Sequence, residues 1–330
     1  MSVTLNGGVT FGGGLTLTAG PPPVATAGWN AGGSSSGQIS TIDRITFATD
    51  TATATARGPL GTNQGGMGGA STSTDGWFVG GYSNSPAPAT IVSTVQRITY
   101  ATDTATASTR GSLSMARAGI ASSSDNTTYG WFGGGYIQSA PYYLSIVNRI
   151  TYASDTTTSS VRGPLSIIVY IQAATGDQNY GWYTGGYTTG GISSTTYIDR
   201  ITYATDTATA TNRGALALAT RMHMAVTDST TYGWFAGGSP GSSLSTVQRI
   251  TFATDTSTAS IRGPLNATRY LASGTCNDTY GWFSGGYVTP AGFTSSTTTR
   301  ITYATDTTTS TDRGNLSQTR SRVAGVSGVQ

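Results

Sequence analysis

Arg97-Ile98-Thr99-Tyr100-Ala101-Thr102-Asp103-Thr104 is one of six copies of a single phrase. Its Arg recurs at 44, 97, 149, 200, 249 and 300, at intervals of 53, 52, 51, 49 and 51 residues. In every copy an Asp stands six residues on (Asp50, Asp103, Asp155, Asp206, Asp255, Asp306) and an Arg-Gly pair thirteen on (Arg57, Arg110, Arg162, Arg213, Arg262, Arg313). A second anchor, Gly-Trp followed two residues later by Gly-Gly, uses all six tryptophans: Trp29, Trp77, Trp131, Trp182, Trp234 and Trp282. A period near fifty with a fixed core and variable insertions is the signature of a propeller or solenoid, whose units bury their faces only against neighbours.

The composition excludes helical repeats. Among 330 residues the 17 basic side chains are all Arg and the 14 acidic ones all Asp. Lys and Glu, which with Ala, Leu and Gln build surface helices, are missing. Gly contributes 46 residues and aromatics 10%, which suits short strands joined by tight turns. The class is all-β. The formal charge of +3 is spread without a run of cations that could follow a phosphate backbone, so nucleic acid is not an expected partner. Cys276 is alone and forms no internal disulfide. The first residues lack a basic and a continuous apolar region, and no stretch approaches ~18 apolar residues; neither a signal peptide nor a membrane span is expected.

The unit from Met115 onward shows the strands. Ala116 to Ser123 reads as the first strand, Tyr129 to Tyr136 as the second, Ile146 to Tyr152 as the third and Thr157 to Arg162 as the fourth, with a polar loop of variable length between second and third. Four antiparallel strands make one blade. A two-residue turn at Asp50-Thr51 would set Arg44 opposite Arg57, and like charges directly opposite destabilise a ladder. A four-residue turn, Ala48 to Thr51, sets Arg44 opposite Thr55 instead, and the constant offset extends that register to all copies. The first Gly-Trp has no first strand before it, whereas the chain ends in a stretch that aligns with one. Residues 318 to 328 are therefore expected beside 28 to 33, closing a ring of six blades and covering two sheet edges. The expected domains are an arm, 1–23, and a propeller, 24–330.

This pattern resembles kelch-type propellers, whose repeats run close to fifty residues, end the second strand on Gly-Gly, carry an aromatic in the third strand and begin the first near an Arg, as at Arg117, Arg221, Arg269 and Arg320. The kelch Trp normally lies in the fourth strand, where this chain has Thr-rich runs. The wording Arg-Ile-Thr-Tyr-Ala-Thr-Asp-Thr also resembles kelch-like repeat proteins of tailed phages of cyanobacteria and marine bacteria, which implies a place in the virion.

The arm is a different repeat. Val3 to Gly20 is three six-residue units, each apolar-Thr-apolar followed by a turn, and Pro21 to Pro23 stop it. Eighteen residues cannot offset an ordering entropy of roughly 1 to 2 kcal/mol each. The arm either winds with copies from other chains, most simply as a trimer, docks into other virion proteins, or stays a flexible tail.

The inventory argues against catalysis. His223 is the single His and Cys276 the single Cys, neither beside a plausible partner, so Ser-His-Asp, Cys-His and zinc chemistries lose their parts. No catalytic residue, metal or cofactor is expected. The repeated Arg and Asp read as structural, Asp accepting N–H bonds in its own turn and Arg bonding carbonyls of a neighbouring blade. One carboxylate per turn falls short of what calcium requires. Specificity is expected in the loops between second and third strands, through Tyr142, Tyr143 and Phe293. The set Arg117, Arg221, Arg269 and Arg320 either rings the channel mouth with positive charge or bonds backbone carbonyls there; Gln64 and Val169 break it. The function expected is a non-enzymatic virion protein at a tail fibre, tail tip or appendage, released by lysis and presenting the propeller to host-surface glycans. The alternatives are a capsid decoration protein and a free soluble lectin.

Overall fold

The computed structural model describes residues 24–84, 90–170, 172–188, 193–289 and 293–328, with the backbone of Val9–Phe11 and Leu15–Leu17. Among the described residues the strands form six four-stranded antiparallel sheets, accompanied by smaller two- and three-stranded ribbons. The helical elements described are six three-residue 3-10 turns, one after each Arg-Ile-Thr. One sheet runs Ala121–Ser124, Tyr129–Gly133, Val147–Thr151, Ser160–Arg162, in chain order. The expected register holds. Arg44 faces Thr55, and Arg97, Arg149, Arg200, Arg249 and Arg300 face Ser108, Ser160, Thr211, Ser260 and Thr311. The turn is tightened by a 3-10 segment such as Phe47–Thr49. The sheet of the first repeat takes its first strand from the other end of the chain. Ala324–Gly328 pairs antiparallel with Ala27–Ala31, Val326 opposite Trp29.

Successive units are joined by one repeated interlock. The Trp131 indole N–H donates to Asp206 Oδ2 of the next unit at 2.8 Å, Arg149 Nη1 reaches the same oxygen at 3.0 Å, and Arg162 Nε lies 3.5 Å from it. The Trp131 ring stacks on Tyr203 at 3.8 Å. The other five tryptophans donate in the same way, Trp29 to Asp103, Trp77 to Asp155, Trp182 to Asp255, Trp234 to Asp306 and, from the last repeat to the first, Trp282 to Asp50. The Gly of each Arg-Gly lies against the same neighbour. Gly58 N–H donates to Asp103 O at 2.8 Å, and a Cβ on Gly58 would sit 1.9 Å from Ala105 O. No side chain fits there. The motif Arg residues thus pair with carboxylates and not with carbonyls. The motif Asp residues face the preceding unit and not their own turns, because Trp and two guanidiniums outcompete a turn N–H for a nearly buried carboxylate. The turn role falls to Asp125, Asp177, Asp228 and Asn277, whose Oδ1 atoms accept N–H bonds between first and second strands.

The first strands of the six sheets neighbour one another in succession, and Ala324–Gly328 lies beside both Ser273–Cys276 and Gly68–Ser71. Hydroxyls tie some of these neighbours: Ser122 Oγ donates to Gly69 O, Ser124 Oγ to Ser71 O at 3.0 Å, and Ser327 Oγ accepts from Cys276 N at 2.8 Å. These strands line a cavity of about 550 Å³ whose walls are largely Gly, Ala, Ser and Thr. In the arm, Val9–Phe11 pairs antiparallel with Leu15–Leu17, Thr10 opposite Thr16. The rest of the expected arm lies outside the described residues.

Candidate functional site

One end of the cavity is drawn in by the backbone. Gly66, Gly119, Met222, Leu271 and Arg322, each just before a first strand, all have φ between +54° and +71°. Leu271 N donates to Met222 O, Arg322 N to Leu271 O, Gly66 N to Arg322 O and Gly119 N to Gly66 O, at 2.7 to 2.9 Å. A left-handed residue turns its N–H and C=O along the rim, so successive units bond head to tail. The arrangement is worth the strain it imposes on Met222, Leu271 and Arg322, of order 1 kcal/mol each.

This rim corrects the alignment of the expected Arg set. Counting back two residues from each left-handed position gives Gln64, Arg117, Thr220, Arg269 and Arg320. Arg221 belongs one place later, and Thr220 stands where Arg was expected. Arg117, Arg269 and Arg320 are at most 1% exposed. Arg117 donates to Phe132 O at 2.7 Å; Arg269 donates to Gly285 O and Thr297 O; Arg320 donates to Asn30 O and Thr41 O and pairs with Asp43 at 3.0 Å. Burial pulls the Arg117 guanidinium down to about 9 and that of Arg269 to about 10, so both keep their charge at neutral pH. Three of the four expected mouth cations are therefore turned inward, because second-strand ends offer carbonyls that nothing else satisfies. Gln64 and Thr220 do similar work, bonding Gly80 O and Gly237 O.

Arg221 lies elsewhere, 4.4 Å above the Tyr187 ring, and Arg322 lies 5.3 Å above Tyr82. Both rings belong to one group. The Tyr82 and Tyr170 hydroxyls are 2.7 Å apart, Tyr170 stacks on Tyr143 at 5.5 Å and tilts on Tyr136 at 5.5 Å, Tyr143 meets Tyr187 edge-on at 6.1 Å, and Tyr142 stacks on Tyr136 at 6.4 Å. Gly119 makes room for this, since a Cβ there would lie 2.2 Å from the Tyr170 ring. Burial raises the Tyr82 and Tyr170 hydroxyls above their usual range, keeping both as neutral donors and acceptors.

Tyr142 and Tyr143 thus come together, while Phe293 does not join them. It is 77% exposed and pairs with Val288 on a separate ribbon, where Tyr287 stacks on Tyr270 at 5.1 Å. Tyr82, Tyr136 and Tyr187 were not singled out from sequence, although each directly follows Gly-Gly. The signal was a repeated Gly-Gly-Tyr in four of six units, hidden because the other two carry Ser34 and Ser239.

His223 is 6% exposed, with Nε2 2.9 Å from Thr184 Oγ1, and burial lowers it to about 3. Cys276 lines the cavity, and burial raises its thiol. Among the described residues no group of three or more His, Cys or Asp is placed to hold a metal ion.

No family model matches the chain, and no curated protein matches it. Among solved structures, that of YjhT aligns with a TM-score of 0.68 over 89% of this chain and 98% of its own, at 12% sequence identity. Similarity at that identity bears on architecture alone. The chain has an all-β, β-propeller-like fold.

Proposed function

We propose that the chain is a six-bladed kelch-type propeller closed by its C-terminal strand, and that it serves as a non-enzymatic virion protein of a tailed phage. Its place is a tail fibre, tail tip or similar appendage. Residues 1–23 dock it to other virion proteins, most simply as a trimer, and the loop face is turned toward host-surface glycans. Support for the closed ring comes from the Trp282–Asp50 bond and from the strand Ala324–Gly328, which has neighbours on both sides. The phage reading draws on the resemblance of the repeat wording.

One contrast carries the functional reading. The Trp, Asp and two Arg of each interlock are the same in all six units, whereas the residue after Gly-Gly is Tyr in four and Ser in two, and the loop behind it changes from unit to unit. A constant frame holding a variable aromatic face is the organisation of a binding module on a rigid scaffold. The charged groups that catalysis would draw on are largely engaged in holding neighbouring units together.

The test is to delete residues 1–23 in the phage genome and to analyse gradient-purified particles by mass spectrometry. The intact chain is expected in particles, and the truncated chain is expected to fold but be missing from them. An intact chain found only in the soluble lysate would overturn the virion reading and favour a free lectin.

A further inference from the structure

The geometry points to the six-tyrosine surface together with Arg322 as a binding site for an anionic saccharide. This deepens the outward-facing reading above and rests on it. Phenol rings offer flat faces to the C–H groups of a pyranose and hydroxyls to its oxygens, with two torsions per side chain to freeze. Six such rings in continuous contact, Tyr142 exposed and the other five half-buried, make a platform wider than one sugar. Structure alone does not require it, because the equivalent positions in two other units are Ser34 and Ser239.

Two strained residues frame the platform. Tyr142 has φ +64° and is 50% exposed, so a bulky side chain holds a left-handed backbone without the burial that would offset it. Its loop is fixed by Tyr142 N donating to Ser139 O and Ile137 N to Tyr142 O. At the other edge Arg322, with φ +56°, is anchored in the hydrogen-bonded rim and carries its guanidinium over Tyr82. The twelve motif Arg residues face motif Asp carboxylates, and Arg320 pairs with Asp43. Arg322 has no carboxylate within ion-pair distance among the described residues. A guanidinium held beside aromatic rings and lacking an internal carboxylate is suited to a carboxylate, sulfate or phosphate on the ligand. The cations are too few to track a nucleic acid.

The experiment applies the full chain to an array of neutral, carboxylated, sulfated and phosphorylated oligosaccharides, with calorimetry on those retained. Anionic members are expected to bind at least tenfold tighter than neutral ones of equal length. Tyr142→Asn, which tolerates the left-handed backbone, should weaken binding about tenfold, and Arg322→Asn should erase the preference for anionic members while keeping neutral ones. Thermal melts of both variants should match the parent. An empty array, or retention unchanged in both variants, would overturn the site. So would undiminished binding to host envelopes stripped of glycans, which would assign the platform to a protein. Virion incorporation of the two variants separates the outcomes: an empty array with the chain present in particles removes the saccharide site alone.

Discussion

A single nearly buried carboxylate per unit gathers the repeated Trp and Arg contacts between neighbouring sheets. Asp206 is 5% exposed and faces Arg149 and Arg162, each about one-fifth exposed, as well as the Trp131 indole. Asp206→Asn keeps an acceptor for Trp131 but strands two guanidiniums. The expected loss is about 2 to 3 kcal/mol, below the fully buried case because solvent reaches the Arg side chains; urea unfolding at neutral pH measures it. His223 gives a separate test. It stays neutral when folded, with a value of about 3, whereas the unfolded chain takes up a proton below about 6.5. Its contribution is therefore complete above that value and declines as pH falls toward 3. Stability at pH 5 should be about 2 kcal/mol below that at pH 8, and His223→Gln should flatten that slope. An unchanged slope in the variant would show that other groups govern it.

At the scale of the element, the outer hairpin of each sheet is shaped by what it must fit against. The Arg-Gly glycine is there because the next unit's backbone occupies the Cβ position: at Gly214 that atom would lie 2.1 Å from Ser257 O, while the Gly214 N–H donates to Asp255 O at 2.7 Å. Gly214→Ala should cost about 1 to 3 kcal/mol through forced separation of two units. Gly37→Ala, where the nearest atom is the Asn84 amide nitrogen at 2.8 Å, should cost far less, since that side-chain end can move. Thermal melts of the two variants compare them directly. In four units the residue before the motif Arg has a related task, carried by Asp in two and Gln in two. Asp43, Gln96, Asp199 and Gln248 accept backbone N–H bonds from Ser317, Gly61, Ser166 and Leu218 in the connection entering their own sheet. A search for identical residues passes over such a position, because these four units keep the acceptor while changing the side chain that supplies it.

At the scale of the molecule, the ends of the chain depend on each other in the closed arrangement proposed above. Removing residues 318–330 takes away the partner strand of Ala27–Ala31, the Arg320–Asp43 pair and the packing of Val326 on Trp29. The truncated chain should aggregate or lose its cooperative transition, having two open sheet edges. Placing residues 318–328 ahead of Val24 through a short Gly/Ser linker should restore that transition, since Gly328 already lies opposite Ala27. Differential scanning calorimetry reads both variants; an unaltered transition in the truncation would count against the closed ring.

Strand content, repeat length, the Arg44–Thr55 register and the origin of the missing strand could all be read from the sequence, because each follows from local preferences and from spacings that do not vary. Which residues meet across units could not. The Trp–Asp bonds of the interlock join residues more than seventy positions apart, the inward turn of Arg117, Arg269 and Arg320 depends on carbonyls exposed only when second strands end, and the tyrosine platform draws on three repeats at once. Sequence periodicity records what each unit shares, whereas a binding face is made where units differ and touch, and that contact exists only after the sheets have packed.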